Sequence, residues 1–246
     1  AQVTFSRREL NRILDLYGGH AVAALGYGHP RWLEALARQA RCVQFQTNAV
    51  AMEVRTRAAG RLVTFCGLGL DTVFFVNSGA EANENALKMA FNVTGRSHVA
   101  ALEGGFHGRT AAAGAVTWGA RDEWCGLPRT PFDVSFIKRG ALASITEQVT
   151  ARTAAVIVEP VQGLAGAVDL GREFLAALRA RCSEVGALLI FDEVQCGMGR
   201  TGHPFAANMY GVLPDMITTA KALGSGFPCS ALLLSDAIAA ELKLDA

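Results

Sequence analysis

A lysine and an aspartate, twenty-nine residues apart, carry the clearest chemical signal in this chain. Lys221 lies in the segment Ile-Thr-Thr-Ala-Lys-Ala-Leu-Gly-Ser-Gly-Phe (217–227), and Asp192 follows Leu-Leu-Ile-Phe (188–191). A lysine amine can hold an aldehyde cofactor as a Schiff base, while a buried carboxylate can keep a pyridine nitrogen protonated so that the ring withdraws electrons. Either residue alone is more often a solvated charge or a helix cap, but together they suggest pyridoxal phosphate.

The composition fits a folded protein without a strong electrostatic partner. Of the 246 residues, 51% are hydrophobic and 18% are charged, which suits one large domain with at most a small appendage. The 23 Lys and Arg residues nearly balance the 22 Asp and Glu residues, so no global field attracts nucleic acid or a membrane surface. The apolar runs are far shorter than the roughly 20 residues of a membrane span, and the N-terminus has no apolar signal core. These features predict a cytoplasmic protein.

Six cysteines are scattered without Cys-x-x-Cys spacing. This pattern argues against a zinc site and against a secreted disulfide framework. We therefore expect no metal in the site, and we interpret the cysteines as mostly buried thiols.

Apolar runs alternate with segments of helical spacing, which predicts an α/β fold with a mostly parallel sheet flanked by helices. The predicted strands are residues 72–77, 97–102, 134–138, 153–158, 187–191 and 230–234. Helices are predicted over 81–91 and 173–185, where apolar residues recur on one face. Residues 46–246 read as one large cofactor-binding domain.

The N-terminal residues 1–45 have a different character and are predicted to form an arm or small-domain segment. Turn signals at Gly18-Gly19 and over 26–30 precede an amphipathic helix predicted from Trp32 to about Arg41. At the Leu10–Asn11 joint, a charged helix-like piece runs into an apolar run without a turn, which suggests that a segment is missing there.

Residues 77–84 (Asn-Ser-Gly-Ala-Glu-Ala-Asn-Glu) follow a predicted strand and open a predicted helix. Ser78 and Glu81 have capping-box spacing, and the backbone amides of Gly79 and Ala80, at the positive end of the helix dipole, could bind a phosphate. An ordinary capped helix explains these residues at least as well. Neither a P-loop nor a G-x-G-x-x-G fingerprint follows a strand, which disfavours nucleoside-triphosphate and nicotinamide cofactors.

A second loop, Gly-Gly-Phe-His-Gly-Arg-Thr (104–110), comes just after a predicted strand, where open α/β sheets bind their ligands. Phe106 could stack on an aromatic ring, and Arg109 could clamp a substrate carboxylate with its planar fork. A purely structural interpretation of this loop is equally open. In that interpretation Phe106 belongs to the core, His107 is a capped loop residue and Arg109 is a surface charge.

Several of these motifs occur together and in a fixed order. The most specific is Phe-Asp-Glu-Val-Gln-Cys-Gly-Met-Gly-Arg-Thr-Gly (191–202), and the others are residues 18–30, 77–84, 105–110, 159–163 and 219–228. In these motifs the chain closely resembles the class III aminotransferases, and most of all the acetylornithine and succinylornithine aminotransferases among them. The resemblance covers nearly the whole chain. It implies the fold of type I pyridoxal-phosphate transferases, like that of aspartate aminotransferase.

The resemblance also implies roles for individual residues around pyridoxal phosphate. Lys221 would bond covalently to the cofactor and later shuttle a proton, and Asp192 would pair with the pyridine nitrogen. Ser78, with the amides of Gly79 and Ala80, would hold the phosphate. The remaining implied contacts are Phe106 and Val194 on the two ring faces, Gln195 on the phenolic oxygen, His107 and Glu159 near the cofactor, and Arg109 on a substrate carboxylate.

Two departures from the family pattern concern the substrate and the length of the chain. Where acetylornithine and ornithine enzymes usually carry a glutamate that masks a second arginine, this chain has Leu164 in Gln-Gly-Leu-Ala-Gly (162–166). This places N-acetylornithine as donor and 2-oxoglutarate as acceptor in question. The family's C-terminal small domain is expected after residue 246.

The favoured hypothesis is an aminotransferase that works in two half-reactions, from an amino-acid donor such as acetylornithine, ornithine or an omega-amino acid to an oxo acid such as 2-oxoglutarate or pyruvate. An aminomutase, or other pyridoxal-phosphate chemistry on the same scaffold, remains an alternative because fold does not fix function. A non-catalytic truncated homologue is the other. The resemblance further implies a homodimer with the active site at the subunit interface.

Overall fold

A seven-stranded sheet with helices on both faces forms the body of the protein. The computed structural model describes residues 2–5, 12–47, 49–124 and 126–242. The strands are β1 (Gln2–Phe5), β2 (Arg12–Asp15), β3 (Thr72–Val76), β4 (His98–Leu102), β5 (Asp133–Ile137), β6 (Thr153–Val158), β7 (Val161–Gln162), β8 (Val168–Asp169), β9 (Leu188–Asp192), β10 (Met216–Thr219) and β11 (Ser230–Leu234).

The helices lie between these strands, as expected where parallel strands need crossover connections. They are α1 (Gly18–Ala21), α2 (Pro30–Cys42), α3 (Glu53–Cys66), α4 (Gly79–Thr94), α5 (Ala111–Ala115), α6 (Ala120–Glu123), α7 (Leu142–Gln148), α8 (Gly171–Val185), α9 (Ala206–Tyr210) and α10 (Asp236–Glu241), with a 3₁₀ turn over Lys221–Leu223. In the described part of the chain, no helix is long and apolar enough to cross a membrane.

The large sheet has the strand order β3-β11-β10-β9-β6-β4-β5. Neighbouring strands from β10 to β5 in this order run parallel, whereas β11 is antiparallel to both β10 and β3. The prediction of a mostly parallel sheet flanked by helices is therefore confirmed. Central strands such as β6 are buried along their whole length, which explains why they read as unbroken apolar runs.

Each face of the sheet has its own core, because successive side chains along a strand point to opposite faces. On one face, α8 packs Leu175 and Leu178 over Leu189 and Ile217. On the other, α4 packs Ala86 and its neighbours over Ile190, Met216 and Leu232. This alternation also decides which polar residues at the strand ends share a face.

All six predicted strands are present, with ends that differ by no more than one residue. The predicted helix 81–91 lies within α4, and 173–185 lies within α8. Strand β10 escaped prediction because it has only four residues, two of them threonines, so it offers neither a long apolar run nor a clear alternation.

The N-terminal residues that the structure describes begin with a pair of short strands. Residues 2–5 form β1, which pairs with β2 in antiparallel fashion. The charged, helix-like piece before Asn11 and the Leu10–Asn11 joint lie outside the described residues. The predicted helix after Trp32 is α2, which begins at Pro30 and contains no fully buried residue.

The cysteine interpretation holds only in part. Cys66, Cys182 and Cys196 are buried, but Cys42 is exposed and Cys229 is half-buried. All five are free thiols. The sixth, at position 125, lies outside the described residues.

Candidate active site

The strand ends converge on one cavity. Asp192 is the last residue of β9, Glu159 follows β6 directly, and Lys221 lies two residues beyond β10. Because these strands are parallel and adjacent, their carboxyl ends lie at one edge of the sheet, which is where open α/β sheets bind ligands. The cavity at this edge has a volume of about 950 Å³.

Every site residue predicted from the sequence lines this cavity. They are Ser78, Gly79, Ala80, Phe106, His107, Arg109, Glu159, Asp192, Val194, Gln195 and Lys221. Sequence reasoning missed several other lining residues, of which Asn83 and Trp124 matter most for the chemistry. The helical pattern gave no means of telling Asn83 from a polar residue on a solvated face.

Asp192 is buried and held from three sides. Its Oδ2 accepts hydrogen bonds from Asn83 Nδ2 (2.7 Å) and His107 Nδ1 (2.8 Å), and its Oδ1 accepts one from the Val194 backbone (3.0 Å). Three donors around the carboxylate hold it in one orientation, because each oxygen has a defined partner. Asp192 therefore presents a carboxylate of fixed orientation at the cavity wall.

Lys221 directs its amine into the same cavity, where its Nζ donates to Gln195 Oε1 (3.0 Å). Burial lowers the pKa of Lys221, although the negative charges of Asp192 and Glu159 act in the opposite direction. A lowered pKa increases the fraction of free amine, the form that attacks a carbonyl or accepts a proton. The backbone of Lys221 has φ +43°, a left-handed conformation uncommon outside glycine, at the start of the 3₁₀ turn.

The N-terminus of α4 opens onto the cavity. Ser78 is its N-cap, and the Ser78 hydroxyl accepts from the Glu81 amide (3.2 Å). The predicted capping box is only half formed, because the Glu81 carboxylate bonds the Asn77 amide (2.8 Å), one residue before the cap. A Cβ added at Gly79 would lie 2.8 Å from both methyl groups of Val194, so only glycine lets the helix end approach that residue.

Glu159 fixes two loops at the cavity floor. Its Oε1 accepts from the Phe106 amide (2.9 Å) and its Oε2 from the Gly163 amide (3.1 Å). Burial raises the pKa of Glu159, and the nearby charge of Asp192 raises it further. The Phe106 ring meets Trp124 edge to face at a centroid distance of 4.9 Å, which gives the cavity an aromatic wall.

The Gln195 side chain occupies space that a side chain at position 163 would fill. A Cβ at Gly163 would lie 2.3 Å from the Gln195 side-chain carbonyl group, far inside van der Waals contact. Gly163 therefore leaves the space that Gln195 occupies when it meets Lys221. The motif Gln-Gly-Leu (162–164) thus acts on the site through its glycine.

Arg109 lies on the rim of the cavity, and in the described part of the chain its guanidinium has no ion-pair partner. Its loop is anchored by Glu84, whose Oε2 accepts from the Thr110 hydroxyl (2.6 Å) and from the amides of Ala112 and Ala113. The loop is thus held while the arginine remains available to a carboxylate.

Glu193, next to Asp192, does not line the cavity. Its side chain instead contacts the start of α9. Its carboxylate accepts hydrogen bonds from the amides of Ala206 and Ala207 at the start of that helix. Burial raises the pKa of Glu193 to about 7, even though both backbone bonds act to lower it. Glu193 is thus a buried carboxyl group that titrates near neutral pH.

This titration predicts a pH-dependent contribution to stability. Because the folded-state pKa lies above the reference value of 4.5, the contribution is complete below about pH 4.5 and is lost as the pH rises through about 7. We expect the unfolding free energy of the wild type, relative to Glu193→Gln, to fall by up to about 3 kcal/mol across this range. Urea unfolding at both ends of the range measures it.

The exposed Glu173, in the first turn of α8, provides the control, and Glu173→Gln should keep the pH dependence of the wild type. An unfolding free energy of Glu193→Gln that followed the wild type at every pH would contradict the assignment.

Comparison with known proteins identifies the family. The model of the family described as aminotransferase class-III matches residues 3–245. This chain belongs to the class-III aminotransferases. Among curated relatives of this aminotransferase, the [LysW]-aminoadipate semialdehyde/glutamate semialdehyde transaminase of Sulfurisphaera tokodaii is 40% identical over 237 residues, which cover 94% of this chain and 59% of the relative. The acetylornithine aminotransferase of Streptomyces coelicolor is 44% identical over 219 residues, covering 89% and 54%.

Solved structures agree on the fold of this class-III aminotransferase. The ornithine aminotransferase from Toxoplasma gondii superposes with a TM-score of 0.88 at 28% identity, and a transaminase from the marine bacterium Virgibacillus with 0.90 at 26%. Each match covers 99% of this chain but only 59% and 60% of the solved chain. The fold is therefore that of pyridoxal-phosphate aminotransferases, and the chain spans somewhat more than half the length of these relatives.

Class-III aminotransferases use pyridoxal phosphate, and the cavity residues have the groups to hold it. The cofactor has an aldehyde, a pyridine nitrogen, a phenolic oxygen and a phosphate. The cavity offers the Lys221 amine, the Asp192 carboxylate, the Gln195 amide and the open end of α4, whose first amides have no acceptor within the helix. Gly79 keeps open the space beside that helix end that a side chain would fill.

Proposed function

We propose that the complete protein is a pyridoxal-phosphate-dependent aminotransferase that moves an amino group from an amine-bearing amino acid to an oxo acid by a ping-pong mechanism. One observation carries the proposal. The amine of Lys221 and the carboxylate of Asp192 line one cavity at the carboxyl ends of adjacent strands. A lysine with a lowered pKa and a carboxylate in the same cavity are the pair that aldehyde-cofactor chemistry needs.

Each wall of the cavity has a proposed task in holding the cofactor. The amides of Gly79 and Ala80, with the Ser78 cap, bind the phosphate at the positive end of the α4 dipole. Phe106 and Val194 enclose the ring, and Gln195 contacts its phenolic oxygen. His107 and Glu159 act through residues that contact the cofactor. His107 donates a hydrogen bond to Asp192, and Glu159 accepts one from the Phe106 amide.

The chain's own residues supply proton handling and charge. When bound, the cofactor supplies an electron sink that stabilises negative charge at the carbon bearing the amino group. Lys221, as a free base, takes a proton from that carbon and passes it to the cofactor. Asp192 pairs with the pyridine nitrogen, because three donors hold its carboxylate in one orientation at the cavity wall.

For the substrate, we propose an amino-acid donor of the acetylornithine, ornithine or omega-amino-acid class, with 2-oxoglutarate or pyruvate as acceptor. Support comes from the guanidinium of Arg109 at the cavity rim, which has no ion-pair partner among the described residues and suits a substrate carboxylate. The relatives are named for acetylornithine, ornithine and aminoadipate semialdehyde, which share an amino or aldehyde group at the end of a carbon chain that bears a carboxylate. Leu164 sits half-exposed in the loop after Gly163.

We further propose the organisation of the complete protein. Residues 1–45 form an arm or small-domain segment, and residues 46–246 belong to the large cofactor-binding domain. Trp32 Nε1 donates to the Gly224 carbonyl (3.1 Å), which ties the arm to the turn after Lys221. A homodimer with the site at its interface and a cytoplasmic location stay predictions.

The test is a spectrophotometric titration of the purified protein loaded with pyridoxal phosphate. We expect an absorbance band for the lysine-bound cofactor, which an amino donor discharges and an oxo acid restores. N-acetylornithine, ornithine, 4-aminobutyrate and a β-amino acid are compared as donors. An aminomutase would convert its substrate without a second oxo acid. A band that no amine discharges would overturn the proposal in favour of a non-catalytic protein.

A further inference from the structure

A chain of buried polar side chains lies behind Asp192 and extends across two strands and a helix. The Thr218 hydroxyl donates to Asn83 Oδ1 (2.7 Å), and Asn83 Nδ2 donates to Asp192 Oδ2 (2.7 Å). His107 Nδ1 donates to the same oxygen (2.8 Å). All four side chains are at most 2% exposed, so water does not compete for these bonds.

The sheet register explains why these residues meet. Thr218 on β10 is the direct register partner of Asp192 on β9, so their side chains point to the same face of the sheet. That face is covered by α4, whose residue Asn83 faces the sheet one turn after the helix begins. Asn83 thus reaches both strands at once.

The hydrogen bonds fix which way round the Asn83 amide lies. Its two N–H groups are both used, one on Asp192 and one on the His107 carbonyl (2.8 Å), and its oxygen accepts from Thr218. A flipped amide would turn its oxygen toward two acceptors and its N–H groups toward the Thr218 hydroxyl. Asp192 and the His107 carbonyl, which only accept, therefore fix the orientation of the Asn83 amide, and its oxygen accepts from the Thr218 hydroxyl in that orientation.

We propose that Asn83 and Thr218 are positioning residues that hold Asp192 in a single orientation, with its charge available to the ring nitrogen of the cofactor. The proposal rests on the proposed function, because it concerns the partner of Asp192 in that reaction. Thr218 does not line the cavity, whereas Asn83 lines it and donates to Asp192. Thr218 acts on Asn83, and Asn83 acts on the carboxylate.

The adjacent Thr219 offers a matched control. Both threonines are fully buried on β10, but they point to opposite faces, and the Thr219 hydroxyl has no partner among the described residues. Replacing either one with valine removes one hydroxyl at nearly constant volume. Only Thr218→Val removes a hydrogen bond to Asn83, the residue that donates to Asp192.

The first test measures cofactor affinity and the nitrogen-15 chemical shift of pyridoxal phosphate labelled at the ring nitrogen. We expect Thr218→Val to raise the Kd of the cofactor about 10-fold, the size expected when a buried acceptor loses its donor, and to move the nitrogen shift toward the unprotonated value. Thr218→Ser, which keeps the hydroxyl, should restore both. Thr219→Val should change neither. Equal effects of Thr218→Val and Thr219→Val would overturn the proposal and leave core packing as the only role.

A second test needs no cofactor and so separates this proposal from the proposed function. The Nδ1 proton of His107, bonded to a buried carboxylate, should give a low-field proton resonance in the cofactor-free protein, assigned by its loss in His107→Gln. We expect Thr218→Val and Asn83→Asp to shift it and Thr219→Val to leave it in place. An unchanged resonance in both variants would overturn the network, whatever the spectrophotometric titration gives. A shifted resonance in a protein that binds no cofactor would leave the network standing and reject only the proposed function.

Discussion

Lys221→Ala is expected to lower kcat for transamination by at least about 10⁴-fold, because it removes both the covalent anchor of the cofactor and the proton carrier. The fold should not suffer. The amine makes one described hydrogen bond, to Gln195, and its burial already lowers its pKa, so the folded state loses little when the group is removed. Steady-state kinetics and thermal unfolding of the cofactor-loaded protein measure the two effects.

Two further variants sharpen this prediction. Lys221→Arg keeps a positive charge but has no primary amine, and it should be as inactive as the alanine variant. Lys88→Ala, which removes an exposed lysine on α4, should retain full activity. Small primary amines added to the solution should partly restore the transamination activity of Lys221→Ala, because they can enter the space that the lysine side chain leaves. Full turnover by Lys221→Ala would remove Lys221 from the reaction and with it the proposed mechanism.

Asp192→Asn is expected to lower kcat by about 10³-fold and to destabilise the fold by about 1–3 kcal/mol. Activity falls because an amide carries no negative charge to keep the ring nitrogen protonated. Stability falls because the amide nitrogen would face a donor: the Val194 amide on one side, or Asn83 and His107 on the other. Kinetics and urea unfolding test these two effects, and cofactor titration provides the comparison with the control variant.

Asp215 provides the control for Asp192. It too is an aspartate held by several donors, since its Oδ2 accepts from Arg179 (2.6 Å) and from the Leu189 amide (2.6 Å), but it precedes β10 at the opposite end of the sheet. Asp215→Asn should lower stability without altering cofactor affinity. If both variants lost cofactor affinity to the same degree, the effect would come from stability, and Asp192 would have no specific role.

Local signals predicted the elements well. The apolar runs of the sheet and the cap at Ser78 depend on neighbours within a few residues, so they can be read directly from the chain. The strand that was missed also has a local reason. β10 is too short and too polar to stand out.

The predicted site residues came from motif identity and from their place at strand ends. The hydrogen-bond partners of these site residues could not be predicted from motifs or strand ends. Asn83 lies 109 residues from Asp192 and 135 from Thr218, and only the sheet register and the packing of α4 bring the three together. In the sequence, Asn83 is one polar residue in a helix and Thr218 is one of two adjacent threonines.

The sequence by itself determined the class of fold, the family motifs and the residue types that chemistry at an aldehyde cofactor needs, because periodicity and motif spacing are properties of the chain. Only the tertiary structure decided which groups surround Asp192, how burial lowers the pKa of Lys221 and raises that of Glu193, and why Gly79 and Gly163 must lack side chains. Burial, hydrogen bonding and close approach depend on distances across the fold. Residues far apart in the chain set those distances.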